Sequence, residues 1–161
     1  MLSFLAAQPR GGGYGLDAEL ARKAAEKYDV NAEREAQQWI EAVTGIRFAS
    51  TFAASLKNGQ LLCQLLNHIK PGTIARIETS NMPFKQMENI SNFLRACRTL
   101  GVREYELFET VDLYEEKDIG LVVRAIHALG RAVQNSVPSF RGPHLGVKET
   151  AATVSREMVC T

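Results

Sequence analysis

Apolar residues recur at helical spacing along most of this chain, and the breaks between them fall on Gly, Pro, Asn and Asp. Ala36, Trp39, Ile40 and Val43 stand at i, i+3, i+4 and i+7, which predicts a helix from near Asn31 to Thr44-Gly45. A short helical stretch is expected around Thr51 to Ser55. The most informative run follows, LKNGQLLCQLLNHIKPG from Leu56 to Gly72. Leu61, Leu62, Leu65, Leu66 and Ile69 cover a broad face of it, as a central helix packed on several sides requires. Asn58 can cap its start, Lys70 favours its negative end, and Pro71-Gly72 stops it.

Ile74 and Ile77 read as plugs from the next loop into the core. Pro83 suits the first turn of a further helix, where its missing N–H costs little. That helix carries Met87, Ile90, Phe93, Leu94, Cys97 and Leu100 and stops at Gly101. Tyr105, Leu107 and Phe108 suggest one short turn. Asp118 caps a last long helix with Ile119, Val122, Val123, Ile126, Leu129 and Val133. Upstream, Leu16, Leu20 and Ala24 mark a narrow stripe on a helix from Asp17 to Tyr28. No run alternates as a strand would. The expected fold is all-α, with four core helices and shorter helices between them.

The ends differ from the middle. Residues 1–13 read as a flexible leader closing on Gly11-Gly12-Gly13. Residues 135–161 read as a Pro- and Gly-containing tail, with a thin candidate helix from Val147 to Met158 whose stripe is too narrow for stability alone. Residues 14–134 make the expected domain, and removal of residues 136–161 is expected to leave it folded.

Composition narrows the function. The chain has 161 residues, 45% hydrophobic and 23% charged, with a formal net charge of +1. This is an ordinary globular composition. The charge gives no electrostatic footprint for nucleic acid and weighs against a strong microtubule binder. No segment reaches membrane length, and Met1–Ala7 lacks the basic start and long apolar core of a secretory signal, so cytoplasmic residence is the default expectation. Cys63 and Cys97 fall in apolar helical stripes and read as reduced buried thiols. Cys160 reads as an exposed tail thiol, since a prenylation box would place its cysteine where Met158 stands.

Candidate chemistry is sparse. His68, His127 and His144 have no metal-like mutual spacing and read as structural. Glu115, Glu116 and Asp118 lack the alternating ligands of a calcium loop. The three glycines precede Leu16 where a dinucleotide fingerprint needs glycine, and no Gly-Lys-Ser or Gly-Lys-Thr occurs. No catalytic, cofactor or metal residues are assigned. The spacing of Trp39 makes it a core anchor rather than a recognition aromatic.

Four segments, in order, resemble the calponin-homology domain, and more closely its calponin and transgelin branch. They are Tyr14-Gly15-Leu16 with Lys27-Tyr28-Asp29; Trp39-Ile40-Glu41 with Thr44-Gly45; Leu56-Lys57-Asn58-Gly59 through Ile69-Lys70-Pro71-Gly72; and Met87-Glu88-Asn89-Ile90 with Asn92-Phe93, Phe108 and Asp112-Leu113. The resemblance covers roughly residues 14 to 134. It implies an all-helical globule that associates with actin filaments or with an actin-regulating protein, a cytoskeletal location, and neither catalysis nor a cofactor. It also implies that Trp39 is buried. No repeat of the IGLQMG kind follows the domain, and Gly142-Pro143-His144-Leu145-Gly146-Val147-Lys148 looks like the linking segment of relatives.

Charge is the remaining handle on a partner. Between Asp17 and Gln134 stand 15 basic and 16 acidic residues, unevenly spread. Glu104, Glu106, Glu109, Asp112, Glu115, Glu116 and Asp118 crowd one connection, while Arg95, Arg98 and Arg103 gather at the preceding helix end. These charges serve either helix-end complementarity or docking on an acidic filament. Arg22, Lys23 and Lys27 form a second basic stripe. Arg141, Lys148 and Arg156 lie in the tail, and Lys57 and Lys70 are the parts of the central run placed to reach a partner. These cations, Lys70 apart, are the candidate partner-binding set, on a chain expected to be monomeric. The rival reading is a signalling or scaffold adaptor, or a microtubule or axonemal module, that does not bind actin directly.

Overall fold

The computed structural model describes residues 28–146. Contacts divide the chain between Val30 and Asn31, and nearly all the described residues belong to the second unit. The leader, the helix expected at Asp17–Tyr28 except for its last residue, the candidate helix from Val147 and Cys160 lie outside the described residues.

Six α-helices follow one another among the described residues: α1 (Val30–Thr44), α2 (Phe52–Leu56), α3 (Gln60–Ile69), α4 (Pro83–Thr99), α5 (Thr110–Tyr114) and α6 (Ile119–Ser136), with a 3-10 turn at Glu104–Glu106. No strand occurs among them. The four long helices build the core and the short ones connect them. α3 and α4 share the most extensive contact. Leu62, Leu65, Leu66, Ile90, Phe93, Val122, Ile126 and Ile40 are completely or almost completely buried, with Trp39, Leu61, Ile69 and Leu94 also inside. The Phe93 ring sits 6.3 Å from that of Phe108, tilted by 31°. Ile74 is buried and Ile77 half-buried.

Local chemistry sets most boundaries. Gly45, at φ +76°, ends α1 and donates its N–H to the Glu41 carbonyl (2.8 Å). Thr51 caps α2 through its hydroxyl, which accepts from Ala54 N–H at 3.2 Å. Pro83 occupies the first turn of α4, and Asp118 caps α6 by accepting from Leu121 N–H. The run from Leu56 to Gly72 is not one helix. Leu56 closes α2, and α3 starts only at Gln60, because Gly59 adopts φ +74° between them. Asn58 still serves the start of α3: its side-chain oxygen accepts from Gln60 N–H at 3.0 Å. The turn expected at Tyr105–Phe108 forms one residue earlier, and Leu107 and Phe108 follow it as buried residues. Helix α5 is held by a reciprocal cap, in which the Glu109 side chain accepts from the Asp112 backbone and Asp112 accepts from Glu109 N–H at 2.8 Å.

Residues 137–146 return along the domain as a strap. Val137 is buried at the end of α6, and its N–H donates to the Val133 carbonyl at 2.9 Å. Trp39 Nε1–H donates to the Pro143 carbonyl at 2.8 Å, tying the strap to α1. Leu145 is buried over Gly130 of α6, where a Cβ would stand 2.7 Å from the Leu145 carbonyl oxygen. That contact accounts for a glycine deep inside an 18-residue helix, a placement that costs about 1 kcal/mol relative to alanine.

The strap changes the outcome expected of truncation. A chain ending at Ser136 loses two buried apolar side chains, each worth about 1.5–3 kcal/mol, and leaves the Trp39 N–H without its acceptor. Such a chain is expected to fold with a midpoint lowered by roughly 10 °C. A chain ending at Gly146 keeps these contacts and is expected to melt above the chain ending at Ser136 by that amount. Thermal melts followed by helical circular dichroism compare the two, and equal midpoints would show that the strap adds nothing.

Candidate partner-binding surface

Of the candidate cations, Lys57, Arg95, Arg98, Arg103 and Arg141 are described and all are exposed. Arg22, Lys23, Lys27, Lys148 and Arg156 lie outside the described residues. The structure does not gather the five into one patch of equivalent charges. Arg98 is held by Glu104 through two hydrogen bonds, Nε–H at 2.6 Å and Nη2–H at 3.0 Å. This charge-assisted pair raises the Arg98 pKa and lowers that of Glu104, in both cases mainly through the hydrogen bond itself. Both side chains are largely in water, so the pair adds little stability. Its consequence is that the charge of Arg98 is already met. Arg103 donates to the Tyr105 hydroxyl at 3.3 Å. Lys57, at the end of α2, places its ammonium 4.8 Å from the centre of the Tyr114 ring on α5.

Arg95 is different. Its guanidinium donates to the Asn92 side-chain oxygen at 2.7 Å, and no carboxylate of the described residues pairs with it. With Lys70 and Arg76 it borders a groove of about 550 Å³ between α4 and the loop after α3. Arg76 is matched by Glu78 at 3.0 Å, and Lys85 stands 3.8 Å from Glu78 and 3.9 Å from Glu88. The groove thus carries surplus positive charge at Lys70 and Arg95.

The acidic connection is largely consumed internally. Glu104 holds Arg98, Glu106 holds Arg131 at 3.0 Å, Glu109 and Asp112 cap α5, and Asp118 caps α6. These are helix-end and inter-helix contacts, leaving Glu115 and Glu116 as exposed acids at its end.

Sequence reasoning did not single out the exposed apolar residues at the other end of α4. Met82 and Phe84 are 52% and 57% exposed at the start of α4, beside Lys85, whose ammonium lies 5.5 Å from the Phe84 ring centre. Phe84 stands three residues before Met87, so spacing alone would assign it to the buried stripe.

Among the described residues no group of three His, Cys, Asp or Glu side chains is arranged to hold a metal ion. His68 Nδ1 lies 2.8 Å from the Gln64 carbonyl and His127 Nε2 lies 2.9 Å from that of Ala32, so each histidine is engaged with backbone. No described helix is long and apolar enough to cross a membrane.

Comparison with known proteins agrees with this geometry. Residues 30–135 match the calponin homology (CH) domain family. Myophilin of Echinococcus granulosus is 47% identical over 137 residues, covering 83% of this chain and 72% of that protein. Muscle-specific protein 20 of Drosophila melanogaster is 42% identical over 135 residues, covering 83% and 73%. Rac guanine nucleotide exchange factor B of Dictyostelium discoideum is 40% identical over 147 residues, which cover 87% of this chain and 12% of that larger protein. The crystal structure of the calponin-homology domain of Rng2 from Schizosaccharomyces pombe superposes with a TM-score of 0.61 at 30% identity, covering 81% of this chain and 87% of the other. Helix order, buried core and these matches together place the chain in the calponin-homology family, on its calponin and transgelin branch.

Proposed function

We propose that this protein is a stoichiometric binding protein of the cytoskeleton that attaches to filamentous actin or to an actin-regulating protein. The observation that carries this reading is the family match over residues 30–135, together with matches over 83% of the chain to myophilin and to a protein named as muscle-specific. The surface supports it. Lys70 and Arg95 are unmatched by acids among the described residues, Lys57 is exposed, and Met82 and Phe84 offer apolar contact at the start of α4. An acidic filament surface would be met by charge first and by apolar contact at close range. The mechanism is binding alone, and bundling would require a second contact site or self-association.

Cosedimentation of the full chain with micromolar filamentous actin at low salt tests direct binding. A chain that stays in the supernatant removes it. Within that assay, Arg95→Glu is expected to weaken binding about five-fold or more, because it reverses an unmatched charge. Arg98→Ala is expected to change it less than two-fold, because Glu104 already holds that charge. Equal effects of the two would exclude this surface.

The match to a Rac exchange factor favours a second reading, in which the same fold serves as an adaptor within a signalling assembly. Recovery of one non-actin partner in stoichiometric amount, together with failed cosedimentation, would select it.

A further inference from the structure

The strap is held the way a groove holds a peptide. Its fastening comes chiefly from its backbone carbonyls and one apolar side chain. Trp39 Nε1–H reaches the Pro143 carbonyl at 2.8 Å, and Gln134 Nε2–H reaches the Gly146 carbonyl at 3.1 Å. Leu145 fills the notch that Gly130 leaves open. The side chains of Pro143 and His144 face outward and are exposed. The groove beside them, about 430 Å³, continues along α1 past Glu35 and Gln38.

The tether between α6 and the strap is thin. Pro138, Ser139 and Arg141 are exposed, and the turn is closed by one backbone bond, Phe140 N–H to the Val137 carbonyl at 3.0 Å, with the Phe140 ring edge-on to His144. A glycine stands at its far end. Release of residues 142–146 breaks the Trp39 and Gln134 bonds and uncovers Leu145, and the strap of a second copy would restore each of these contacts. Every copy of the chain carries the same groove and the same segment, and exchange of an identical element is a low-cost route to a dimer.

We propose that the α1–α6 groove is a peptide site, filled in one copy by its own residues 142–146 and able to take that segment from a second copy, so that two chains exchange straps. This proposal stands independently of actin binding. It supplies the self-association that bundling through a single calponin-homology domain would need. In a single copy the tethered segment competes at an effective concentration on the order of millimolar. Exchange is therefore confined to places where copies are concentrated, such as neighbouring sites on one scaffold.

The test uses the full chain and a fluorescent synthetic peptide of residues 138–146. Leu145→Ala weakens the resident strap and leaves the groove intact. That variant is expected to bind the peptide saturably and at least ten-fold more tightly than the wild-type chain does. Adding Gly130→Ala to it is expected to abolish binding, since the new Cβ occupies the notch. Wild-type chain in sedimentation equilibrium is expected to show a dimer that grows toward millimolar concentration and disappears with excess peptide. No peptide binding, binding indifferent to Gly130→Ala, or a wild-type chain monomeric throughout would each overturn the proposal. Should Leu145→Ala fail to fold, a protease site inserted after Ser139 and cut once the protein has folded leaves the native strap untethered. The labelled peptide must then replace it, and failure to do so overturns the proposal equally.

Discussion

Replacing Gly59 with alanine is expected to destabilise the domain by about 3–4 kcal/mol. Two independent costs add at this position. Gly59 sits at φ +74°, where an L side chain strains the backbone by about 1–2 kcal/mol. An added Cβ would also stand 2.6 Å from Asn89 Cβ and 2.9 Å from the Ile90 backbone nitrogen. Neither neighbour is the end of a flexible side chain, so no rotamer change relieves the contact. The start of α3 and the middle of α4 must separate, with an overpacking cost of about 1–3 kcal/mol. Gly45→Ala is the matched control. Its φ is +76°, but nothing lies within 4 Å of the new Cβ, so only the strain remains. Urea unfolding of the two variants separates the terms, and equal losses would show that the close approach carries no cost.

Asn89→Leu is expected to cost a similar amount for a different reason. Asn89 is fully buried on α4, and its amide serves three backbone groups at once. Nδ2–H donates to the Glu78 carbonyl at 2.8 Å and to the Asn58 carbonyl at 3.0 Å, and Oδ1 accepts from Glu78 N–H at 2.9 Å. The side chain thereby fastens both the loop before α3 and the loop after it to one point on α4. Leucine keeps the branching and heavy-atom count of asparagine but is bulkier, so some overpacking joins the main cost, which is that three polar groups lose their partner. At about 1–3 kcal/mol for each one left unsatisfied, with some regaining water, the expected loss is about 3–4 kcal/mol. Hydrogen exchange at Glu78 N–H gives a local check. Protection that survives the substitution would mean this amide is not what holds the loop.

The same pair of residues marks the border of what the sequence reveals. Helix periodicity and caps are local, so the four long helices, the start at Pro83 and the cap at Asp118 are readable within a window of a few residues. At Asn58-Gly59 only half of the picture is local. The cap at Asn58 can be read in place, but the close approach of Gly59 to Asn89 and the bond from Asn89 to the Asn58 carbonyl come from some thirty residues away. Helix α5 escaped notice because Thr110-Val111-Asp112 is a poor helix former and its reciprocal cap matters only over a five-residue element. The strap reads as broken chain because Pro and Gly interrupt it. Its anchor is a glycine in another helix, and a missing side chain leaves no hydrophobic signal. On the surface the residue types are visible but their pairing is not. Arg95 and Arg98 look alike in the sequence, and only the fold brings Glu104 to one of them.

The two buried cysteines bring a use of their own. Cys63 donates its thiol to the Asn89 backbone carbonyl at 3.3 Å, and burial pushes its pKa up to about 12. Cys97, fully buried, is raised as well, by burial first and by Cys63 second. The thiolate is the nucleophile that attacks alkylating reagents and disulfides, so at neutral pH these buried sulfurs are silent in the closed state. Their labelling rate, measured with Cys160 replaced by serine, is therefore a clock for opening of the α3–α4 seam. It reads the same seam that Gly59 and Asn89 hold shut, and it does so in the working protein without denaturant.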